Sequence, residues 1–321
     1  MSRPLAIDAR LHAYRQGGIV LYTARLVAAL AALAPEEDWL VLEHRKAREP
    51  LVAAPNVRRA RLWTPPHHRW EQLALPLELA LRRPRLIHSP DFIPPLRRTC
   101  PAVITVHDLA FIRYPEILDD AAKRFYGQIG AAVRSADAII AVSRSTAADL
   151  TELLGVPPER IDVIHSATDL APLPVAPGDR REIGGVSWAA DSFLAFVSTI
   201  EPRKNIPTLL RALRLMIDRE PRAGYRLALA GRRGWLDEPV WALRRELGLE
   251  EAALLVEGPS DDEVRWLLSA CKIYVNPSWY EGFGLPLLEA LACGAPSVAA
   301  DSSSLPEVAG DAALLVPPGD A

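Results

Sequence analysis

Short apolar runs alternate with helical patterns along nearly the whole chain, and that alternation limits the fold more than any other feature. β-rich runs stand at 4–8, 39–43, 59–63, 86–89, 102–107 and 138–143, and again at 193–198, 225–230, 254–257, 273–276, 297–299 and 312–316. Helical periodicity fills several of the gaps, at 19–34, 119–134, 144–154, 208–216 and 261–270. Strands joined by helices pair in parallel, and the crossover helices cover both faces of the sheet. The reading is an α/β chain built on mostly parallel sheets.

A break in the pattern divides the chain. Residues 165–192, HSATDLAPLPVAPGDRREIGGVSWAADS, are rich in Pro, Gly and Ala and have neither helical nor alternating period. They read as a linker, at 171–191, between a first domain at 1–170 and a second at 192–321. Two domains also suit a length of 321 residues. A cleft between two such domains is a common ligand site.

A formal charge of −3 argues against sequence-independent nucleic-acid binding. The charge is uneven: residues 1–170 hold 22 Lys+Arg against 19 Asp+Glu, net +3, and the rest hold 15 against 21, net −6. Nine arginines lie between Arg58 and Arg98, opposed only by Glu71, Glu78 and Asp91. They form either a solvated face or a patch for anionic lipid heads or a phosphorylated acceptor. Cys100, Cys271 and Cys293 match no metal spacing. With no secretory signal pattern and no run of 18 apolar residues, the expected setting is cytoplasmic, with peripheral attachment at the inner face of the membrane left open.

The chemistry concentrates in residues 276–294, NPSWYEGFGLPLLEALACG. An apolar run enters a Gly-rich loop, and the loop opens a helix near Pro286, whose missing N–H costs nothing at a first helical position. N–H groups of residues 284–288 then surround an uncapped helix start, a ready anion site. Gly282 and Gly284 let the backbone approach a ligand. On a continuous helix Glu281 and Glu289 would lie about 12 Å apart, beyond the roughly 5–9.5 Å of glycosidase pairs. Both would repel a pyrophosphate at the helix start, and both suit hydroxyl groups on either side of it. A nucleotide sugar has that layout.

Three further features bear on this site. Arg203 and Lys204 stand where a strand turns into a helix, with Asn205 as the expected N-cap. Cations there oppose the helix dipole, a conflict that an anionic ligand would settle; the bland alternative is two solvated charges. Gly17-Gly18 opens the 19–34 helix without a G-x-G-x-x-G pattern, so turn chemistry and phosphate approach both fit. His107 closes the 102–107 run, where ligands gather in open α/β sheets, although a simple loop hydrogen bond would also place a histidine there. This chemistry requires no metal, and no Asp-x-Asp stands beside a suitable strand end.

Glu281 and Glu289 resemble the E-x7-E motif of the family 4 retaining glycosyltransferases, which have the two-domain GT-B fold. STIEPRKN, LAGRRGW, EGPSDDEV, TVHDLAFIRYPE, the Gly17-Gly18-Ile19 turn and the long run from residue 276 to VPPGD follow the family's order. The resemblance covers the chain from near residue 5 to its end. Residues 281–316 carry its most specific part, and the mannosyltransferase-like branch is nearest.

The resemblance implies two Rossmann-like parallel-sheet domains facing across a cleft. It places Glu281 by the donor sugar, Glu289 on the ribose, and the backbone of Gly282, Phe283, Gly284 and Leu285 against sugar hydroxyls and phosphates. Arg203 and Lys204 would hold the diphosphate, and His107 would stand at the reacting centre. Gly17 and Gly18 would approach the phosphate or the acceptor. The implied activity is retaining transfer of a hexose, with GDP-mannose the best match, to a saccharide or lipid-linked saccharide hydroxyl. It would serve glycan, lipopolysaccharide or exopolysaccharide biosynthesis, with no cofactor or metal. Two features depart from the family pattern. Residues 165–169 read HSATD where the family usually has Asn-Gly-Val-Asp, and Ala321 ends the chain where further helices usually complete the second domain. A nucleotide-sugar-binding protein without transferase activity and a nucleotide-sugar epimerase on the same fold are the competing readings.

Overall fold

A computed structural model describes residues 3–14, 17–114, 125–234 and 236–321. The chain forms two compact units, divided between Ser166 and Ala167.

In the first unit β1 (Leu5–Asp8) leads to α1 (Gly18–Leu33), β2 (Trp39–His44), β3 (Val57–Leu62), α2 (Glu71–Arg82), β4 (Leu86–Ser89) and β5 (Ala102–Val106). Then come α3 (Ala110–Arg113), α4 (Ile129–Ser135), β6 (Ala138–Ala141), α5 (Arg144–Leu154) and β7 (Ile161–Val163). The seven strands pair in parallel in the order β3-β2-β1-β4-β5-β6-β7. All six residues of β2 are buried, as expected of a strand covered on both faces. The buried Glu43 is accommodated by the N–H of Leu51 at 2.8 Å and Nε of Arg59 at 2.6 Å.

The second unit opens with an antiparallel hairpin, β8 (Arg180–Ile183) and β9 (Val186–Ala189). There follow β10 (Phe193–Val197), α6 (Ile206–Arg219), β11 (Arg226–Gly231), α7 (Glu238–Glu246), β12 (Ala253–Glu257), α8 (Asp261–Ala270) and β13 (Ile273–Asn276). The last elements are α9 (Leu285–Ala292), β14 (Ser297–Ala300), α10 (Leu305–Ala309) and β15 (Ala313–Val316). Six parallel strands run in the order β12-β11-β10-β13-β14-β15. Each sheet grows outward from its first strand and then reverses direction. The reversal lies between β1 and β4 in one sheet and between β10 and β13 in the other. Such a switch point leaves a crevice at the carboxyl ends of the strands.

Most expected strands occur within a residue or two of their sequence bounds, and both sheets are parallel as read. The stretch expected to be a linker is different. It contains the β8–β9 hairpin, whose Trp188 is buried with its ring 5.0 Å from that of Phe193 and the Arg226 guanidinium 4.7 Å over it. Helices α2 and α7 were not expected. Within α2, Pro76 removes the bond to the Gln72 carbonyl, and the helix is held by buried Leu75 and Leu79 and by its two glutamates. Glu78 accepts from the N–H of Trp63 and of Thr64, at 3.0 and 2.9 Å. Of the helix expected at 119–134, residues 119–124 lie outside the described residues. No helix among the described residues is long and apolar enough to cross a membrane.

Candidate functional site

In the second unit the carboxyl ends of β10 and β13 deliver two loops to the switch point. After β10 the chain makes a tight turn at Pro202–Lys204 and enters α6 through Asn205, whose φ is 53°. Asn205 stands at the N-cap position, but its side chain does not cap the helix backbone as expected. Its Oδ1 accepts from Thr208 Oγ1 at 2.8 Å, and its Nδ2 donates to the Pro277 carbonyl at 3.0 Å. It therefore ties the start of α6 to the loop that follows β13. A second tie is the N–H of Trp279, which donates to the Arg203 carbonyl at 2.9 Å.

These ties bring Arg203, Lys204 and Glu281 together. Lys204 Nζ lies 2.6 and 2.9 Å from the two carboxylate oxygens of Glu281, and Arg203 Nη1 lies 3.0 Å from Oε2. Ser278 Oγ adds a bond of 2.8 Å to Oε1. Lys204 is 3% exposed and Glu281 5%. Burial by itself would raise the Glu281 pKa, but Lys204 and Arg203 outweigh it and hold the carboxyl at about 2. Burial lowers the Lys204 pKa, and Glu281 opposes that shift. Arg203 also pairs with Glu201 at 2.6 Å, so two cations meet two carboxylates. The anion that the two cations called for is thus, within the protein, Glu281.

Gly284 then opens α9 with φ 97°, and Pro286 occupies its first turn. No side chain caps this start. A Cβ at Gly284 would stand 2.9 Å from Leu305 Cδ2, in a backbone conformation that side chains rarely adopt. The loop from Glu281 to Gly284 is buried, and Glu289 is half-buried on α9. The serine turn before α10 fixes that loop. Ser303 Oγ takes the Glu281 N–H at 2.8 Å, Ser304 Oγ donates to the carbonyls of Glu281 and Phe283 at 3.0 and 2.8 Å, and Ser302 Oγ donates to Ser278 O at 2.8 Å. Sequence reasoning missed Ser278, Ser302, Ser303, Ser304 and Glu201. The run of three serines at 302–304 was the available signal.

Gly17, Gly18 and His107 belong to the first unit. Gly17 precedes α1 with φ 154°, and no side chain caps that helix either. His107 follows β5; its Nε2–H donates to the Pro90 carbonyl at 3.0 Å, which leaves the lone pair on Nδ1. Tyr22 of α1 meets the imidazole edge-on at 4.8 Å. Tyr22 hydroxyl lies 3.3 Å from Thr105 Oγ1, which His88 Nε2 approaches at 2.8 Å. Burial pushes the His107 pKa down, against the pull of Asp91 and Asp108, so the ring is neutral at pH 7. The loop bond foreseen as the bland explanation is therefore present, and among the described residues the other ring nitrogen has no partner. The motif ends Pro115-Glu116 and Trp235 lie outside the described residues.

Comparison with known proteins bears on both units. Residues 191–321 match the family model of glycosyl transferases group 1, and residues 16–172 match that of glycosyltransferase family 4. The chain is 35% identical over 238 residues to the O-antigen chain mannosyltransferase B of Escherichia coli, covering 73% of this chain and 62% of that protein. It is 28% identical to the D-inositol 3-phosphate glycosyltransferase of Rhodococcus erythropolis, covering 90% of this chain and 72% of that one. The chain spans less than two thirds of the mannosyltransferase it matches, and about a quarter of the serotype-specific mannosyltransferase WbdA of Escherichia coli. Among solved structures, sucrose-phosphate synthase from Thermosynechococcus elongatus superposes with a TM-score of 0.75 at 21% identity, over 99% of this chain and 87% of that one. Anabaena HepE in complex with UDP and glucose gives 0.69 at 19%, over 99% and 87%. Those likenesses establish the fold: two parallel-sheet α/β domains of the GT-B class.

Proposed function

We propose that this chain, whose two units match the family models of glycosyl transferases group 1 and glycosyltransferase family 4, moves a hexose from a nucleotide sugar to a saccharide hydroxyl with retention of configuration. The observation that carries this reading is the Arg203–Lys204–Glu281 cluster, with Lys204 and Glu281 buried, beside the uncapped start of α9. Mannose is the proposed hexose and GDP-mannose the proposed donor, supported by likeness to the O-antigen mannosyltransferase. The diphosphate would meet the N–H groups at the helix start, with Arg203 and Lys204 offsetting its charge as the leaving group departs. Glu281 would hold those cations in place and face the sugar, and Glu289 would take the ribose hydroxyls.

In front-face substitution the bond from the anomeric carbon to the diphosphate oxygen breaks as the acceptor oxygen bonds on the same side. The acceptor proton passes to the departing phosphate. Neutral His107 is proposed to orient the sugar through Nδ1, and the Gly17-Gly18 turn to approach the phosphate or the acceptor. This scheme assigns no metal. Incubation with GDP-mannose and a mannoside acceptor, followed by NMR, is expected to show an α-linked product. A β-linked product, or an epimerised donor with no product, would overturn the mechanism.

We propose further that the acceptor is met at a membrane surface. Leu73, Leu77 and Leu81 of α2 recur at helical spacing and are 56, 72 and 83% exposed, with Trp70 exposed beside them. Arg61, Arg69 and Arg83 are exposed nearby in sequence, and Arg69 lies over the Trp70 ring at 5.4 Å. An apolar stripe with a basic surround suits the interface of an anionic bilayer. Sedimentation with phosphatidylglycerol vesicles is expected to carry the protein down. The Leu73→Ser/Leu77→Ser/Leu81→Ser variant is expected to lose at least tenfold in partitioning. Equal binding by wild type and variant would remove α2 from the interface.

A further inference from the structure

The first unit has its own switch point, between β1 and β4, and a polar recess lies there that the transfer scheme does not use. It opens at the carboxyl ends of both strands, where Asp8, Arg10, His67, Glu71, Ser89 and Asp91 line it. Its volume is about 20 Å³, room for one water-sized group. A neighbouring recess shares Asp8 and Asp91 and runs to Ile19 and Val20 at the start of α1.

Ser89 closes β4 and is 2% exposed, yet among the described residues its hydroxyl has no hydrogen-bond partner. An unpartnered buried hydroxyl costs free energy unless something meets it. The groups around it define what that partner is. Arg10 does not turn the recess towards an anion, because Asp8, Glu71 and Asp91 outnumber it there and its guanidinium already serves Asp8 at 2.9 and 2.7 Å, the Thr64 carbonyl at 3.2 Å, and Glu71. Glu71 in turn takes the His67 N–H at 2.8 Å. His67 Nε2 is held by Asp91 Oδ2 at 2.5 Å, and its ring stacks on Phe125 at 3.6 Å. Among the described residues Asp91 Oδ1 accepts nothing. What faces the recess is therefore a hydroxyl and carboxylate oxygens with no uncommitted cation, a lining that repels phosphate and suits a neutral group that can donate a hydrogen bond.

We propose that this recess anchors one hydroxyl of a neutral acceptor saccharide, bonded to Ser89 Oγ and Asp91 Oδ1. The proposal rests on the transferase reading and adds to it the chemical class of the acceptor group held by the first unit: an uncharged polyol, not a phosphate.

The test uses the full chain with methyl α-D-mannopyranoside as probe and inorganic phosphate as the anionic contrast. Saturation-transfer NMR is expected to show the mannoside binding wild type, with phosphate unable to displace it. Ser89→Ala is expected to weaken that binding, and to raise the mannoside KM in transfer, about three- to tenfold, the worth of one neutral hydrogen bond. Ser89→Val, which fills the recess, is expected to weaken it further. The melting temperature of Ser89→Ala is expected to be unchanged or higher, because an orphaned hydroxyl is removed. Mannoside binding and KM indifferent to both variants would show that the recess holds only a structural water, and displacement by phosphate would contradict the polyol class. Ser89-dependent mannoside binding in a protein that takes no nucleotide sugar would keep the subsite and overturn the transfer reading.

Discussion

Glu281→Ala is expected to lower the stability of the second unit by about 3–5 kcal/mol and to abolish transfer. Glu281 is, among the described residues, the carboxylate in contact with Lys204 Nζ, and Lys204 is 3% exposed, so removing Glu281 leaves a buried cation with only the more distant Glu201 to offset it. The same truncation cuts the bond from Ser278 and removes one of the acceptors of Arg203 Nη1, which keeps the Tyr280 carbonyl. Glu281→Gln keeps the shape and one hydrogen-bond acceptor, so its loss should be smaller. The pH dependence has a definite sign. The folded carboxyl titrates at about 2, below the roughly 4.3 of an unfolded glutamate. Its contribution is complete above the unfolded value and is lost as pH falls from there towards the folded one. Urea unfolding of wild type and variants between pH 7 and pH 3 measures both effects. A loss below about 1 kcal/mol at pH 7 would mean that the cluster is solvated.

Arg203→Ala is expected to separate catalysis from stability. Its side chain is 20% exposed, so less buried charge is stranded than at Glu281, and the fold should survive. If Arg203 offsets charge that grows on the departing diphosphate, kcat should fall by about 10²–10³, the usual effect of removing one such group. Arg203→Lys should recover only part, because an ammonium cannot reach Glu201, Glu281 and the Tyr280 carbonyl together as the guanidinium does. Steady-state kinetics against donor concentration decide the point. A raised KM with kcat unchanged would limit Arg203 to ground-state docking.

Much of the architecture could be read from the sequence because parallel strands are buried on both faces and appear as uninterrupted apolar runs. Leu227, Ala228, Leu229 and Ala230, all fully buried in β11, are such a run. Helix α2 was hidden because Pro76 reads as a helix breaker, and its compensation comes from Arg10 and Thr64, which are distant in sequence. The hairpin within the expected linker was hidden for a similar reason: Trp188 belongs to a core that only tertiary packing creates. At the site, the Gly-rich loop, the helix start and the two cations were visible as residues. Their pairing with Glu281 was not, because nothing local joins positions 77 and 78 residues apart. The serine clamp from Ser302 to Ser304 was equally a long-range fact.

The most direct test is calorimetric titration of the full chain with GDP-mannose, UDP-glucose and ADP-glucose, paired with thermal unfolding at saturation. One of the three, with GDP-mannose expected, should bind with micromolar to low millimolar affinity. At a hundredfold excess over Kd it should stabilise the protein by about 2.7 kcal/mol, a rise of several degrees in melting temperature. Glu281→Gln and Arg203→Ala should blunt that rise. A chain that binds none of the three and melts at the same temperature with each would contradict the claim that the loops after β10 and β13 hold a nucleotide sugar.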